Sequence, residues 1–253
     1  RLRISFGALT FSSAPATLTV NQPPSINAPS DRTVCAGSNL SFSLVVTSVT
    51  ACSFDYQWQS RASATADWAD VGNAAPYSGA AEAELRIANV PVAYNARQYR
   101  CLLKSNGMII AESAPASLTV NAVTLTPPSN QTVCLGDRAV FSIPVSNRPC
   151  ISAYKWQYRA NADAAWADVN MTPPSAYSAG EENSTFSLTI SSSAVAHNGQ
   201  YRCLFTAASG EMSSNEATLT VNEGTIGNPS ARSVCPGDNA EFTVSVANAS
   251  CLT

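Results

Sequence analysis

Apolar and polar residues alternate along this chain in short runs. Leu40, Phe42, Leu44 and Val46 alternate with Ser41, Ser43 and Val45, and Phe141, Ile143 and Val145 alternate with Ser142, Pro144 and Ser146. The same period of two recurs in Leu85 and Ile87, in Phe186, Leu188 and Ile190, in Tyr99, Cys101 and Leu103, and in Tyr201, Cys203 and Phe205. A period of two gives each strand one buried face. The runs are short and are separated by Gly, Pro, Asn and Ser, and no helical periodicity of useful length is present. The pattern therefore predicts an all-β chain built as antiparallel sandwiches. The stretch 193–199 is the one place where a single helical turn is expected.

The alternation is itself repeated. Ala14–Asn21, Ala114–Asn121 and Asn215–Asn222 carry one motif, and their terminal asparagines recur after 100 and 101 residues. Thr33-Val34-Cys35-Ala36-Gly37, Thr132-Val133-Cys134-Leu135-Gly136 and Ser233-Val234-Cys235-Pro236-Gly237 recur after 99 and 101. A period near 100 is the size of a compact domain, not of a solenoid turn. Four segments are expected: C-terminal strands of one repeat in 1–21, complete repeats in 22–121 and 122–222, and N-terminal strands of another in 223–253. Arg1 aligns with Arg202, in the middle of a late strand. The third copy reaches Cys251 without the Trp that follows Cys52 and Cys150 six residues on. The expectation is an excerpt of a longer repetitive protein.

Trp58 in Tyr56-Gln57-Trp58-Gln59, followed by Tyr99-Arg100-Cys101, resembles the immunoglobulin-like domain, and Trp156 with Tyr201-Arg202-Cys203 repeats the resemblance. In that family a strand-C Trp lies in the core, and a Tyr two residues before the strand-F Cys forms the tyrosine corner. The resemblance implies tandem antiparallel immunoglobulin-like sandwiches in an end-to-end string, with Trp58, Tyr99, Trp156 and Tyr201 in their cores. The fuller pattern of Val-Cys-x-Gly, Tyr-x-Trp-Gln, Trp-x-Asp-Val and Tyr-Arg-Cys is similar to tandem repeats of very large secreted surface proteins of bacteria, Bacteroidota especially. One departure stands out. The strand-B positions that carry the family's other core cysteine hold Leu44, Ile143 and Val244.

Each complete repeat therefore has an odd set of three cysteines: Cys35, Cys52 and Cys101, then Cys134, Cys150 and Cys203. Pairing Cys35 with Cys101, and Cys134 with Cys203, keeps the bonds inside a repeat and closes loops worth up to about 4 kcal/mol. In the family's topology Cys52 sits in a loop at one end of its repeat and Cys35 at the other. Cys35 can then reach Cys150 of the next repeat, and Cys134 can reach Cys251, leaving Cys101 and Cys203 as buried thiols. A Cys52–Cys101 pair is the least favoured, because strand B carries Cys52 roughly 25 Å past the level of Cys101 at about 3.3 Å per residue. On either scheme Cys52, Cys150 and Cys251 are expected to bond outside their own repeat, to the adjacent repeat or to a neighbouring chain.

Composition narrows the function. Charged residues are 12% of the 253, the net charge is −3, and there are two lysines, Lys104 and Lys155. A nucleic-acid binder normally shows a basic face, and no apolar run approaches the roughly 18 residues of a membrane span. Eight recurring cysteines suit an oxidising, extracellular compartment. There is no Cys-x-x-Cys and one His, His197, so neither a zinc site nor a repeated catalytic constellation is expected, and no cofactor. His197 reads as an exposed turn residue. Asp137 and Asp238 read as caps of local amides, and the pairs Glu82/Glu84 and Glu181/Glu182 as solvated edges. Trp68, Tyr77, Trp166 and Tyr177 are the aromatics that a ligand face would use, though such rings more often pack over a core rim. The leading expectation is a structural or adhesive stalk or filament of a large extracellular bacterial surface protein. Its partners would be neighbouring repeats, copies of itself, or surface glycans and proteins. The alternative is a ligand-binding module for glycan or protein.

Overall fold

The computed structural model describes residues 1–20, 22–47 and 53–252. Cys52 lies outside the described residues. Among them the chain is all-β: strands joined by turns, four short 3-10 turns, and no α-helix. Contacts group the chain into two compact units. The first comprises Arg1–Thr33, Asn39–Ala88 and Tyr94–Thr119. The second comprises Val34–Ser38, Asn89–Ala93 and Val120–Thr253.

The first unit is built on two sheets. The smaller runs Leu40–Ser43, Glu84–Ile87, Tyr77–Ser78. The larger runs Arg32–Cys35, Ala116–Asn121, Gln98–Ser105, Asp55–Arg61, Ala69–Asp70, with Met108–Glu112 also paired to Gln98–Ser105. This is the strand order of an immunoglobulin-like sandwich. Alternation along Asp55–Arg61 turns Trp58 inward, directly opposite Cys101 on the neighbouring strand. Trp58 and Tyr99 are fully buried. Phe42 from the other sheet lies 4.8 Å from the Tyr99 ring and 6.5 Å from the Trp58 ring. The Trp58 indole N–H donates to the Glu82 carbonyl at 2.9 Å.

The second unit repeats the plan. Ala139–Pro144, Thr185–Ile190 and Tyr177–Glu182 form the smaller sheet; Gln131–Cys134, Ala217–Asn222, Gly199–Ala207, Ile151–Arg159 and Ala167–Asp168 form the larger, with Gly210–Ser213 on Gly199–Ala207. Gln131–Cys134 runs parallel to Ala217–Asn222, and the other pairings are antiparallel. Trp156 is opposite Cys203. Phe141 lies 4.9 Å from the Tyr201 ring, so the aromatic packing of the first unit is reproduced. Phe141, Ile143, Phe186, Leu188, Tyr201, Cys203 and Phe205 fill this core with no exposed surface. Ile143 supplies at strand B the apolar volume that replaces the family's cysteine.

Arg3–Phe6 and Leu9–Ser12 form a hairpin that pairs Ile4 with Phe11 and Phe6 with Leu9. All four side chains are exposed. Thr225–Ile226 pairs with Val246–Ala247. Phe242 and Val244, counterparts of the buried Phe141 and Ile143, are 61% and 51% exposed.

Candidate functional site

The recurring chemistry of this molecule is its cysteines. Cys35 is bonded to Cys150 and Cys134 to Cys251, with Cα–Cα separations of 5.5 and 5.3 Å, inside the usual range for a disulfide. All four cysteines fall within the second unit, which takes in the Val34–Ser38 end of the strand Arg32–Cys35. Each bond joins a cysteine of one sequence repeat to a cysteine of the next, and the two bonds are one period apart. Their loops span 115 and 117 residues and overlap over 134–150.

The pairs Cys35–Cys101 and Cys134–Cys203 are not formed, and the sheet order explains why. Cys35 ends an edge strand, and Ala116–Asn121 lies between it and the strand of Cys101. Two strand spacings put the cysteines roughly 9–10 Å apart, beyond the about 7 Å that a disulfide tolerates. Ala217–Asn222 separates Cys134 from Cys203 in the same way. Cys101 and Cys203 are buried free thiols facing the core tryptophans. Burial pushes both thiols up to about 12, so they remain protonated and unreactive at neutral pH.

Each half of the bond is presented by a repeated local structure. The first half closes a strand and enters a glycine turn. The Asp137 carboxylate accepts from the Cys134 N–H at 3.3 Å, and Asp238 accepts from the Cys235 N–H at the same distance. After Cys35 the turn is held by Ala36 N–H on the Asn121 carbonyl and Gly37 N–H on the Val90 carbonyl. Gly37 has φ +83°, and a Cβ there would fall 2.4 Å from the Ser209 Cα. Glycine is thus required twice over, for its backbone and for close approach to the Ala208–Ser209 turn. The second half is a 3-10 turn ending in the cysteine: Arg148–Cys150 and Ala249–Cys251. A left-handed asparagine precedes each turn, with φ 50° at both Asn147 and Asn248. The Asn147 amide donates to the Ala122 carbonyl at 2.7 Å, and that of Asn248 to the Glu223 carbonyl at 3.0 Å. The cysteine loop is thereby tied to the chain leading into its own sandwich.

Arg148 fixes the Cys150 loop further. It pairs bidentately with Glu181, donates to the Ile151 carbonyl at 2.9 Å and lies over the Phe186 ring. These hydrogen bonds hold the Glu181 carboxyl below the usual carboxylate range. Glu181 is exposed on the edge strand Tyr177–Glu182, as its sequence suggests, and is ion-paired there to Arg148. Glu82 and Glu84 both pair with Arg86. The spacing Asn-x-x-Cys, shared by Asn147 and Asn248, is the sequence signal for this loop.

The four aromatics of the expected ligand face separate. Trp68 lies on the outer face of the larger sheet, with the Arg61 and Arg100 guanidinium carbons 4.5 and 4.4 Å from its centroid. Trp166 repeats this with Arg159 and Arg202 at 4.6 and 4.2 Å. Gln98, Gln59 and Gln157 accept from Arg61, Arg100 and Arg202, and Glu216 accepts from Arg159, so the guanidiniums are fixed. Tyr77 and Tyr177 face inward instead, their hydroxyls 3.3 and 3.2 Å from those of Tyr99 and Tyr201. Tyr201 also donates to the His197 carbonyl at 2.8 Å. Desolvation, and then these hydrogen bonds, raise Tyr77 and Tyr201; burial pushes Tyr99 up to about 12. His197 is half-buried rather than exposed: Nδ1 accepts from the Ala194 N–H, and the ring meets Tyr177 edge-on. It braces a turn. No group of side chains among the described residues is arranged to hold a metal ion. No helix there is long and apolar enough to cross a membrane.

No family model and no curated protein matches the chain. Solved structures do. An I-band fragment of titin is 18% identical, with 81% of this chain and 68% of that one covered, at a TM-score of 0.49. The titin Z1Z2 domains in complex with telethonin are 18% identical over 81% of this chain and 99% of that one, at 0.34. A chimeric titin Z1Z2 tandem carrying a GRGDS peptide from fibronectin is 20% identical over 79% and 100%, at 0.33.

Proposed function

We propose that this chain is a tension-carrying structural segment: tandem immunoglobulin-like repeats, near 22–121 and 122–222, of a large extracellular bacterial surface protein or filament used in adhesion or matrix building. The observation that carries this reading is the pair of overlapping disulfides one period apart. A covalent path from Cys35 to Cys251 runs through the first bond to Cys150, back along the chain to Cys134, and through the second bond. Sixteen residues lie on that path where the sequence has 216. At about 3.5 Å per extended residue the path reaches roughly 55 Å against roughly 750 Å for the unbridged chain. Pulling on the ends therefore cannot unravel either core beyond the 134–150 segment. Such a device suits a molecule whose ends are loaded, and an oxidising compartment is needed to keep it.

Single-molecule pulling tests this. The oxidised chain should show an unfolding extension several hundred ångströms shorter than the same chain under reductant. Equal extensions in both states would refute the reading. Localisation is tested separately, by protease shaving of intact cells of the source organism: a chain that stays protected would remove the cell-surface part of the reading. Glycan recognition by Trp68 and Trp166 gains nothing from the geometry, since each ring already has two guanidiniums on it.

A further inference from the structure

The two core tryptophans sit alike and are capped differently. Phe42 and Phe141 lie 6.5 Å from the Trp58 and Trp156 rings, at interplanar angles of 41° and 36°, so the two indoles hold the same place in their sandwiches. In the first unit the chain leaves the smaller sheet after Tyr77–Ser78 and passes to the strand of Trp58. There the Ala80 carbonyl accepts from the Trp58 backbone N–H at 3.0 Å, and the Glu82 carbonyl accepts from its indole N–H at 2.9 Å. This segment closes the place: Ala80 is 4% exposed and Val71 6%. In the second unit the corresponding chain stays in its own sheet, with Tyr177–Glu182 paired to Thr185–Ile190 along its whole length. The Trp156 indole N–H is buried and has no partner among the described residues, although a buried indole usually finds one. Val169, the counterpart of Val71, is partly exposed. Beside Trp156 lies a cleft of about 360 Å³, within the range of ligand sites, lined also by Tyr154, Lys155, Asp168, Val169, Met171 and Ala179. It opens between two edge strands, Ala167–Asp168 of the larger sheet and Tyr177–Glu182 of the smaller.

We propose that this cleft is a docking site for an extended, small-residue peptide segment of a partner protein, one of whose backbone carbonyls accepts from the Trp156 indole N–H. Three observations choose that occupant. The first unit seats its own residues 79–83, Gly-Ala-Ala-Glu-Ala, at the same place and bonds its tryptophan through backbone carbonyls. The lining carries no net charge, since Lys155 Nζ donates to the Asp168 carboxylate at 3.0 Å, so it suits a neutral amide rather than an anion. The position of the smaller sheet that lines the cleft is Ala179, two residues on from the inward-facing Tyr177, and its methyl leaves room for a backbone to approach. A partner strand laid along these edges adds main-chain hydrogen bonds while its small side chains fill the cleft. A binding role of this kind is independent of the structural one.

The test uses the full oxidised chain, isotopically labelled for NMR, and a capped peptide of sequence Gly-Ala-Ala-Glu-Ala as the probe. The indole N–H resonances are read during titration, with that of Trp156 assigned from Trp156→Phe. The expected result is a saturable shift of the Trp156 indole signal while those of Trp58, Trp68 and Trp166 stay in place. Trp156→Phe should weaken binding about tenfold, the share of one buried hydrogen bond, read from the backbone amides of Val169 and Ala179. Ala179→Leu keeps the indole and its core packing but fills the cleft, and should abolish the shift. A Trp156 signal that does not move at millimolar peptide would overturn the proposal. So would binding unchanged in Ala179→Leu. N-methylacetamide, which carries the same carbonyl without the chain, should shift the signal only at far higher concentration. An equal response would show a site for small amides and overturn the peptide assignment. A Trp156 signal that shifts with protein concentration alone would make the occupant a second copy of this chain, against the partner proposed.

Discussion

Removing the first staple while leaving every core side chain in place isolates what it contributes. The variant is Cys35→Ala with Cys150→Ala, which leaves no stray thiol and buries no hydroxyl at position 150, a site only 8% exposed. The closed loop has 115 residues. Loop-closure entropy for that length amounts to about 5 kcal/mol at 25 °C, an upper value because strain and residual structure in the unfolded chain reduce it. Trp58 and Trp156 are buried in the first and second units and report the unfolding of each by fluorescence. With a urea dependence of roughly 2 kcal/mol per molar, the midpoint should fall by up to roughly 2.5 M. The control is Cys101→Ala. That thiol has no bond, so the change removes one buried sulfur, worth roughly 1 kcal/mol or about 0.5 M on the same scale. The order of the two effects is the discriminating result. If Cys101→Ala lowers stability more than the paired variant does, the bond is inside the repeat and the reasoning fails. A paired variant that unfolds within about 0.3 M of the parent would equally refute it.

Two further outcomes follow from the cores. Trp58→Phe should cost about 1 kcal/mol more than Trp156→Phe in equilibrium unfolding, because the Trp58 indole N–H donates to Glu82 whereas the buried Trp156 N–H has no partner among the described residues; equal costs would contradict it. Cys101 and Cys203 have folded values near 12, raised above the about 8.5 of an unfolded thiol, so the stability that they confer is complete below pH 8.5 and is lost as the pH rises towards 12; replacing both by Ala should flatten the alkaline limb of a stability–pH curve, and an unchanged limb would show that these thiols do not titrate there.

Most of the fold was legible in the sequence because its rules are local. Alternation turned Trp58, Cys101 and Phe141 inward, and the repeat gave the same answer twice, so each strand checked its counterpart. What escaped was decided by neighbours that no single run contains. Tyr77 and Trp68 look equally available in sequence. Yet Tyr77 lies beneath the sheet against Tyr99, while Trp68 lies above it against Arg61 and Arg100. Consecutive residues of one strand, Tyr99 and Arg100, point to opposite faces and pull the two aromatics apart. His197 differs from its sequence reading for the same reason: its partner Tyr177 is 20 residues away.

The cysteines show where counting stops and topology begins. Three thiols per repeat forbid complete internal pairing, but parity alone leaves open which one is left over. Sheet order decides. A cysteine at the end of an edge strand and one at the centre of the same sheet are separated by the strand between them, however apolar their surroundings. The central thiol, opposite a tryptophan, then has only the core to face, which Leu2 at the corresponding position of 1–21 could do as well. Cys35 and Cys134 end strands and Cys150 and Cys251 end loop turns, and there a disulfide joins one sequence repeat to the next. The missing strand-B cysteine is thus part of the same arrangement. With Leu44 and Ile143 completing the cores by packing alone, the disulfides are released from holding a sandwich together and link successive repeats instead.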